Sequence, residues 1–186
     1  MSKVLVPLAD GCEEIEAVTI IDLLRRAGIE VVVAGLKPGI VKASRGMLLV
    51  PDCTLDVALQ ESYDMVALPG GMPGMTHLRE DPRIIPLLQK MAGEGRFTCA
   101  ICAAPAVLAE AGLLKGKAAT SFPGSLDPAK LPDTVIKDDP VVTDGKVITS
   151  RGPGTAMDFA LELIEKLVGR ARRDEVEAAL QRPGKY

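Results

Sequence analysis

The sequence of 186 residues is poor in the parts that many enzyme chemistries need. It has one histidine, His77, and four cysteines, Cys12, Cys53, Cys99 and Cys102. A Cys/His zinc site would have to be built from those five side chains, and none of their spacings suggests one. A Ser/His or Cys/His hydrolase would have only His77 as its imidazole. Twenty-two basic residues against 25 acidic ones give a net charge of -3 and no basic footprint for duplex nucleic acid. No apolar run reaches the ~18 residues of a membrane span. Met1 to Leu8 enters a strand-like segment without a signal-peptide pattern, so a reducing cytoplasm is the expected location. Neither a Gly-x-Gly-x-x-Gly fingerprint nor a P-loop occurs, and no cofactor is expected. Repeats, low-complexity tracts and Ser/Gly-rich linkers are absent as well.

What remains is a chain that is 47% hydrophobic, enough for the core of one domain over residues 1–186. Strand-like runs are read at Lys3–Leu8, Ile29–Leu36, Met47–Val50, Tyr63–Leu68, Phe97–Ile101 and Lys117–Ser121. Helical patterns fall at Glu13–Ala27, Pro82–Gly93 and Pro105–Ala111. Val141–Thr143 and Lys146–Thr149 flank Asp144-Gly145, a two-residue hairpin signal in which both turn residues would take positive φ. Thr155 is read as the N-cap of a helix striped by Ala156, Phe159, Ala160, Leu163 and Leu167, ended by Gly169. A short helix is expected from Asp174. The alternation predicts an α/β sandwich: a largely parallel sheet, helices on both faces and a β-hairpin. Ligands in such sheets bind beyond the carboxyl ends of the strands.

Three of those ends carry candidate chemistry. At Ala100-Ile101-Cys102-Ala103-Ala104-Pro105 a cysteine leaves a buried strand just before a helix that opens with proline. Ala100 and Ala104 are the small flanking residues a strained nucleophile elbow needs. The helix N-terminus would favour a thiolate, although a small buried cysteine serving only the core has the same surroundings. Cys99 and Cys102 spell C-x-x-C, but along a strand their Cα atoms would stand about 10 Å apart, on opposite faces. In the helix after the first strand, Glu16 shares an arc with Ile20, Leu23 and Ala27 at about 100° per residue. Glu13 and Glu14 read as ordinary first-turn acids, whereas a carboxyl on a core-facing arc must be paired or protonated. At Leu68-Pro69-Gly70-Gly71 two glycines can turn N–H groups toward a ligand, as they can in any tight turn.

Together with Gly11-Cys12-Glu13-Glu14-Ile15-Glu16, Ala43-Ser44-Arg45-Gly46 and Thr149-Ser150-Arg151-Gly152-Pro153-Gly154-Thr155, these segments resemble the ThiJ/PfpI superfamily. The likeness is to its YajL-like branch, which includes the parkinsonism-associated deglycase. It implies a flavodoxin-like sandwich, a homodimer and no metal. It further implies Cys102 as nucleophile, a largely protonated Glu16 beside it, and backbone N–H groups of Gly71 and Ala103 as an oxyanion pocket. Gly70, Arg45 and Phe122 become pocket or interface neighbours. The implied activity is hydration of methylglyoxal to lactate, or deglycation of protein and nucleotide adducts, in stress protection. The alternative is a peroxide-sensing, redox-regulated chaperone acting through oxidation of Cys102. Protease-like members place His directly after the nucleophile. Ala103 stands there in this chain, which argues against proteolysis. Phe122-Pro123 replaces a His-Pro of the branch, and His77 is expected at the surface or a helix start.

Overall fold

The computed structural model describes residues 1–183; the last three of the expected domain, 184–186, lie outside the described residues. The chain order is β1 (Lys3–Leu8), α1 (Glu14–Arg26), β2 (Glu30–Gly35), β3 (Val41–Lys42), β4 (Leu48–Leu49), β5 (Cys53–Thr54), α2 (Leu55–Ala58), β6 (Met65–Leu68), α3 (Gly74–Glu80) and α4 (Ile84–Gly93). It continues with β7 (Phe97–Ile101), α5 (Pro105–Glu110), β8 (Ala118–Ala119), β9 (Val135–Ile136), β10 (Val141–Asp144), β11 (Val147–Ser150), α6 (Ala156–Val168) and α7 (Arg170–Ala179).

Seven strands form the central sheet in the order β10-β11-β7-β6-β1-β2-β5, parallel except for the β10–β11 hairpin. The two-residue period of a strand explains why β1 is apolar throughout. Val4, Val6 and Leu8 join a core with Ile20 and Leu23 of α1 and Phe159 and Leu163 of α6, while Leu5 joins one with Leu55 of α2, Leu88 of α4 and Leu108 of α5. The expected layered fold is therefore present, with helices on both faces. From β1 the chain first builds outward through β2 to β5, then returns to place β6 on the other flank of β1. That reversal makes a crevice at the carboxyl ends of β1 and β6. Among the described residues no helix is long and apolar enough to cross a membrane.

Several expectations need correcting. The run Met47–Val50 shrinks to β4, which pairs with β3 outside the main sheet. Lys117–Ser121 shrinks to β8, which pairs with β9 in a separate two-stranded sheet. Asp144 belongs to β10 and pairs with Val147, so the turn is Gly145-Lys146, with positive φ at Gly145 alone. That is the pattern of a hairpin with glycine at its first central position. Thr155 turns its hydroxyl back to Gly152 and to Ser150 Oγ (2.7 Å) instead of capping α6. The last helix starts at Arg170, four residues before the Asp174 expected from sequence.

Candidate active site

α1 begins where Glu13 caps it: its carboxylate accepts the Glu16 N–H at 2.8 Å. The helix ends with Arg25 and Arg26 in its last turn, and Arg172 of α7 donates to the Arg26 and Ala27 carbonyls. This anchoring aims the inner face of the first turn at the crevice. Glu16 is fully buried there, as its place on the apolar arc predicts. Its Oε2 accepts the Gly70 N–H at 2.8 Å.

Cys102 lies one residue beyond β7, almost buried, with φ of +64°. A non-glycine residue in this left-handed region stores roughly 1–3 kcal/mol of strain. The surroundings hold it in place. Its N–H donates to Ser150 at the end of β11 (2.9 Å), and its carbonyl accepts from Phe122 (2.8 Å). A side chain on Gly70 would stand 2.8 Å from the Cys102 Cβ and 3.0 Å from the Ala103 nitrogen, so only glycine lets the end of β6 approach so closely. Gly71, at φ +92°, turns next; a Cβ there would collide with the Glu13 nitrogen at 2.4 Å. The N–H groups of Gly71 and Ala103 both face the Cys102 sulfur.

The electrostatics couple two groups. Burial pushes the Glu16 carboxyl up to about 7, against the lowering effect of the Gly70 N–H and the Cys102 thiol. Burial, followed by the Glu16 charge, pushes the Cys102 thiol up to about 12, although the Gly71 and Ala103 N–H groups favour the thiolate. The expectation of a thiolate favoured by a helix terminus is therefore corrected: α5 starts only at Pro105, and desolvation dominates. The second contribution vanishes once Glu16 is protonated. Thiol and carboxyl thus titrate as one coupled pair, a charge on either disfavouring a charge on the other. Glu16 Oε1 is buried with no hydrogen-bond partner of ordinary geometry.

The other candidates divide. Phe122 is half exposed and tied through its amide to Cys102. Arg45 lies in an exposed turn between β3 and β4; its N–H donates to Glu14, and its guanidinium makes no ion pair among the described residues. His77 is exposed on α3, its Nδ1 2.7 Å from the Asp10 carbonyl. Cys99 is fully buried inside β7, and burial holds its thiol well above the usual range. Cys12 is buried in the loop after β1, and all four cysteines are free. Among the described residues no group of three or more His, Cys, Asp or Glu side chains is placed to hold a metal ion.

Sequence reasoning missed Glu14. It is buried, accepting from Ser44 Oγ (2.8 Å), the Arg45 N–H (2.6 Å) and the Met47 N–H (3.4 Å). Burial raises its pKa, but these donors and its own N–H outweigh that and keep it below the usual carboxylate range. It thereby clasps the Arg45 turn against α1. Nothing in its local sequence marks this, because its partners lie thirty residues away.

Residues 2–166 match the DJ-1/PfpI family. The chain is 45% identical over 183 residues to Protein dj-1beta of Drosophila melanogaster, covering 97% of both chains. It is 38% identical over 168 residues to a Caenorhabditis elegans protein named glutathione-independent glyoxalase DJR-1.2, covering 89% of this chain and 88% of the other. It is 47% identical to Protein DJ-1 homolog B of Arabidopsis thaliana over 91% of its own length, but spans only 39% of that longer protein. The crystal structure of Drosophila DJ-1beta superposes with a TM-score of 0.91 at 43% identity, over 97% of this chain and 98% of that one. The flavodoxin-like layering, the strand-end cysteine and these likenesses agree: the chain belongs to the DJ-1/PfpI family.

Proposed function

We propose that the protein converts small α-oxoaldehydes such as methylglyoxal to 2-hydroxy acids by covalent catalysis at Cys102. The observation that carries this reading is the pairing of a strained, nearly buried Cys102 with a buried Glu16 whose pKa lies at about 7. A relative named as a glutathione-independent glyoxalase supports the reaction class. Glu16 takes the thiol proton as sulfur attacks the aldehyde carbon and passes it to the new alkoxide oxygen, leaving a neutral hemithioacetal and a Glu16 carboxylate. The hemithioacetal oxygen meets the Gly71 and Ala103 N–H groups. The Glu16 carboxylate then removes the C1 proton and delivers it to C2 while the C1 hydroxyl proton passes to the C2 oxygen, so C1 is oxidised to a thioester and C2 is reduced from ketone to alcohol. Water cleaves the thioester, releasing lactate and the thiol. Methylglyoxal plus water equals lactic acid, and no external redox partner is needed. Deglycation of protein or nucleotide adducts would require the adduct's C–S or C–N bond to break, releasing the thiol or amine, as the Cys102 sulfur bonds to the same carbon; the later steps would be shared. The functional form is read as a homodimer acting in stress protection.

The test is lactate formation from methylglyoxal in a buffer that does not react with aldehydes, beside a preformed adduct. Cys102→Ser should lower kcat/KM by at least about a thousandfold, and Glu16→Gln by roughly a hundredfold with the fold retained. Full activity of Cys102→Ser would overturn the covalent route. Negligible lactate from the wild type, with selective peroxide oxidation of Cys102 seen by mass spectrometry, would favour the redox-sensing alternative.

A further inference from the structure

Phe122 adjoins Cys102 through the backbone, and the proton chemistry above does not use it. Its amide is bonded to the carbonyl of Cys102 at 2.8 Å. Its own carbonyl accepts from the Ser125 N–H (2.9 Å) and from Ser121 Oγ (3.0 Å). The backbone under the ring is therefore fixed on both sides. The ring leans toward Gly152: a Cβ built on that glycine would stand 3.5 Å from Phe122 Cδ2. Gly152 follows the β11 end that holds the Cys102 N–H. Despite these contacts Phe122 is 50% exposed, next to a nearly buried Cys102 to which its backbone is bonded.

The polar groups nearby are engaged elsewhere. Arg151 directs its guanidinium to the Asp138 carboxylate (2.9 Å) and carbonyl (3.0 Å). Ser150 and Thr155 hydroxyls bond to each other at 2.7 Å, and Ser150 also to the Pro140 carbonyl at 2.8 Å. The half-exposed surface at Phe122 therefore offers an apolar ring, while the neighbouring Arg151 is committed to Asp138. A phenyl ring can neither donate nor accept a proton, so its contribution to a reaction is contact area and ring stacking.

We infer that Phe122 is a specificity-determining residue that selects α-oxoaldehydes carrying an aromatic or bulky apolar acyl group over small or anionic ones. This inference rests on the proposed function for its reaction class, but the platform itself acts on any carbonyl electrophile approaching Cys102.

The experiment has two arms. In the first, kcat/KM for phenylglyoxal and for methylglyoxal is measured in the wild type, Phe122→Ala and Phe122→Leu. In the second, mass spectrometry follows alkylation of Cys102 by phenacyl chloride and by chloroacetone, in which the C–S bond forms and chloride leaves. Comparing phenyl-to-methyl ratios between proteins cancels the intrinsic reactivity of the reagents. Phe122→Ala should lower the ratio by roughly 3- to 10-fold in both arms, with Phe122→Leu between. The alkylation rate with iodoacetamide should stay within about twofold of wild type, which reports an intact Cys102 site. A lowered alkylation ratio without turnover by the wild type would leave the inference standing and remove the proposed reaction. An unchanged alkylation ratio in a folded Phe122→Ala or Phe122→Leu protein would overturn the inference.

Discussion

At the scale of residues, the role proposed for Glu16 sets function against stability. Its carboxyl has a pKa of about 7 in the fold, against an ordinary carboxyl value of 4.5, because burial penalises the charge. The folded state therefore holds more protons than the unfolded chain between these values, and stability falls as pH rises through that window. The cost at pH 8 is on the order of 3 kcal/mol for a shift of this size. Glu16→Gln keeps an acceptor for the Gly70 N–H and removes the charge. Urea unfolding should thus find the variant more stable than wild type at pH 8 by a few kcal/mol, with the two converging near pH 4. Equal stability at both pH values would mean that Glu16 is not desolvated. In the proposed reaction the same titration would have the opposite consequence. Protonated Glu16 cannot accept the thiol proton, so wild-type kcat/KM should decline below about pH 7, and that limb should be missing from the residual activity of Glu16→Gln.

At the scale of elements, three strand ends are brought within contact of one another by glycines. Gly70 is where this can be tested. An added Cβ would press on the Cys102 Cβ and the Ile101 carbonyl, each at 2.8 Å, so Gly70→Ala should cost roughly 1–3 kcal/mol in urea unfolding and slow Cys102 alkylation. Gly93 in α4 is the control, since nothing lies within 4 Å of a Cβ there, and Gly93→Ala should be neutral or slightly stabilising. Comparable destabilisation of both variants would remove the close-packing account. The same elements mark what can be read from sequence. β1, β6, β7 and α1 were legible because their apolar periods extend over whole elements. Glu16 was legible because it interrupts such a period. The four-residue α2 and the two-residue β5 and β9 are too short to show a period; they form because the surrounding fold supplies partners. α3 is hidden behind the glycines and proline at its start. The hairpin turn was displaced by one residue because the Asp-Gly signal is local, whereas the register is set by pairing of β10 with β11. Glu14 was illegible for the related reason that its donors come from a distant turn.

At the scale of the whole molecule, the first helix and the β3–β4 hairpin share an outward surface with little to cover it. Ile15 and Val18 of α1 and Met47, Leu48 and Val50 on the hairpin side are exposed, Val50 at 78%. Val18, Leu49 and Val50 also line one groove of about 290 Å³ with Ile21. Glu14 fastens the two elements together from beneath, so this surface is a fixed shape and not a loose loop. A preorganised apolar patch of this kind suits a self-complementary interface between two copies. The expected solution mass is therefore twice 19.6 kDa at micromolar concentration by sedimentation equilibrium. Val50→Asp, which would place an unpaired charge in that interface, should shift the protein to monomer. Val57→Asp, on the exposed face of α2, should leave the dimer intact. A monomeric wild type would overturn the interface, as would equal dissociation by both variants. Because α1 carries Glu16 on its inner face and this patch on its outer one, such an association would also steady the helix that positions Glu16. The Val50→Asp monomer should accordingly lose lactate formation more than it loses melting temperature.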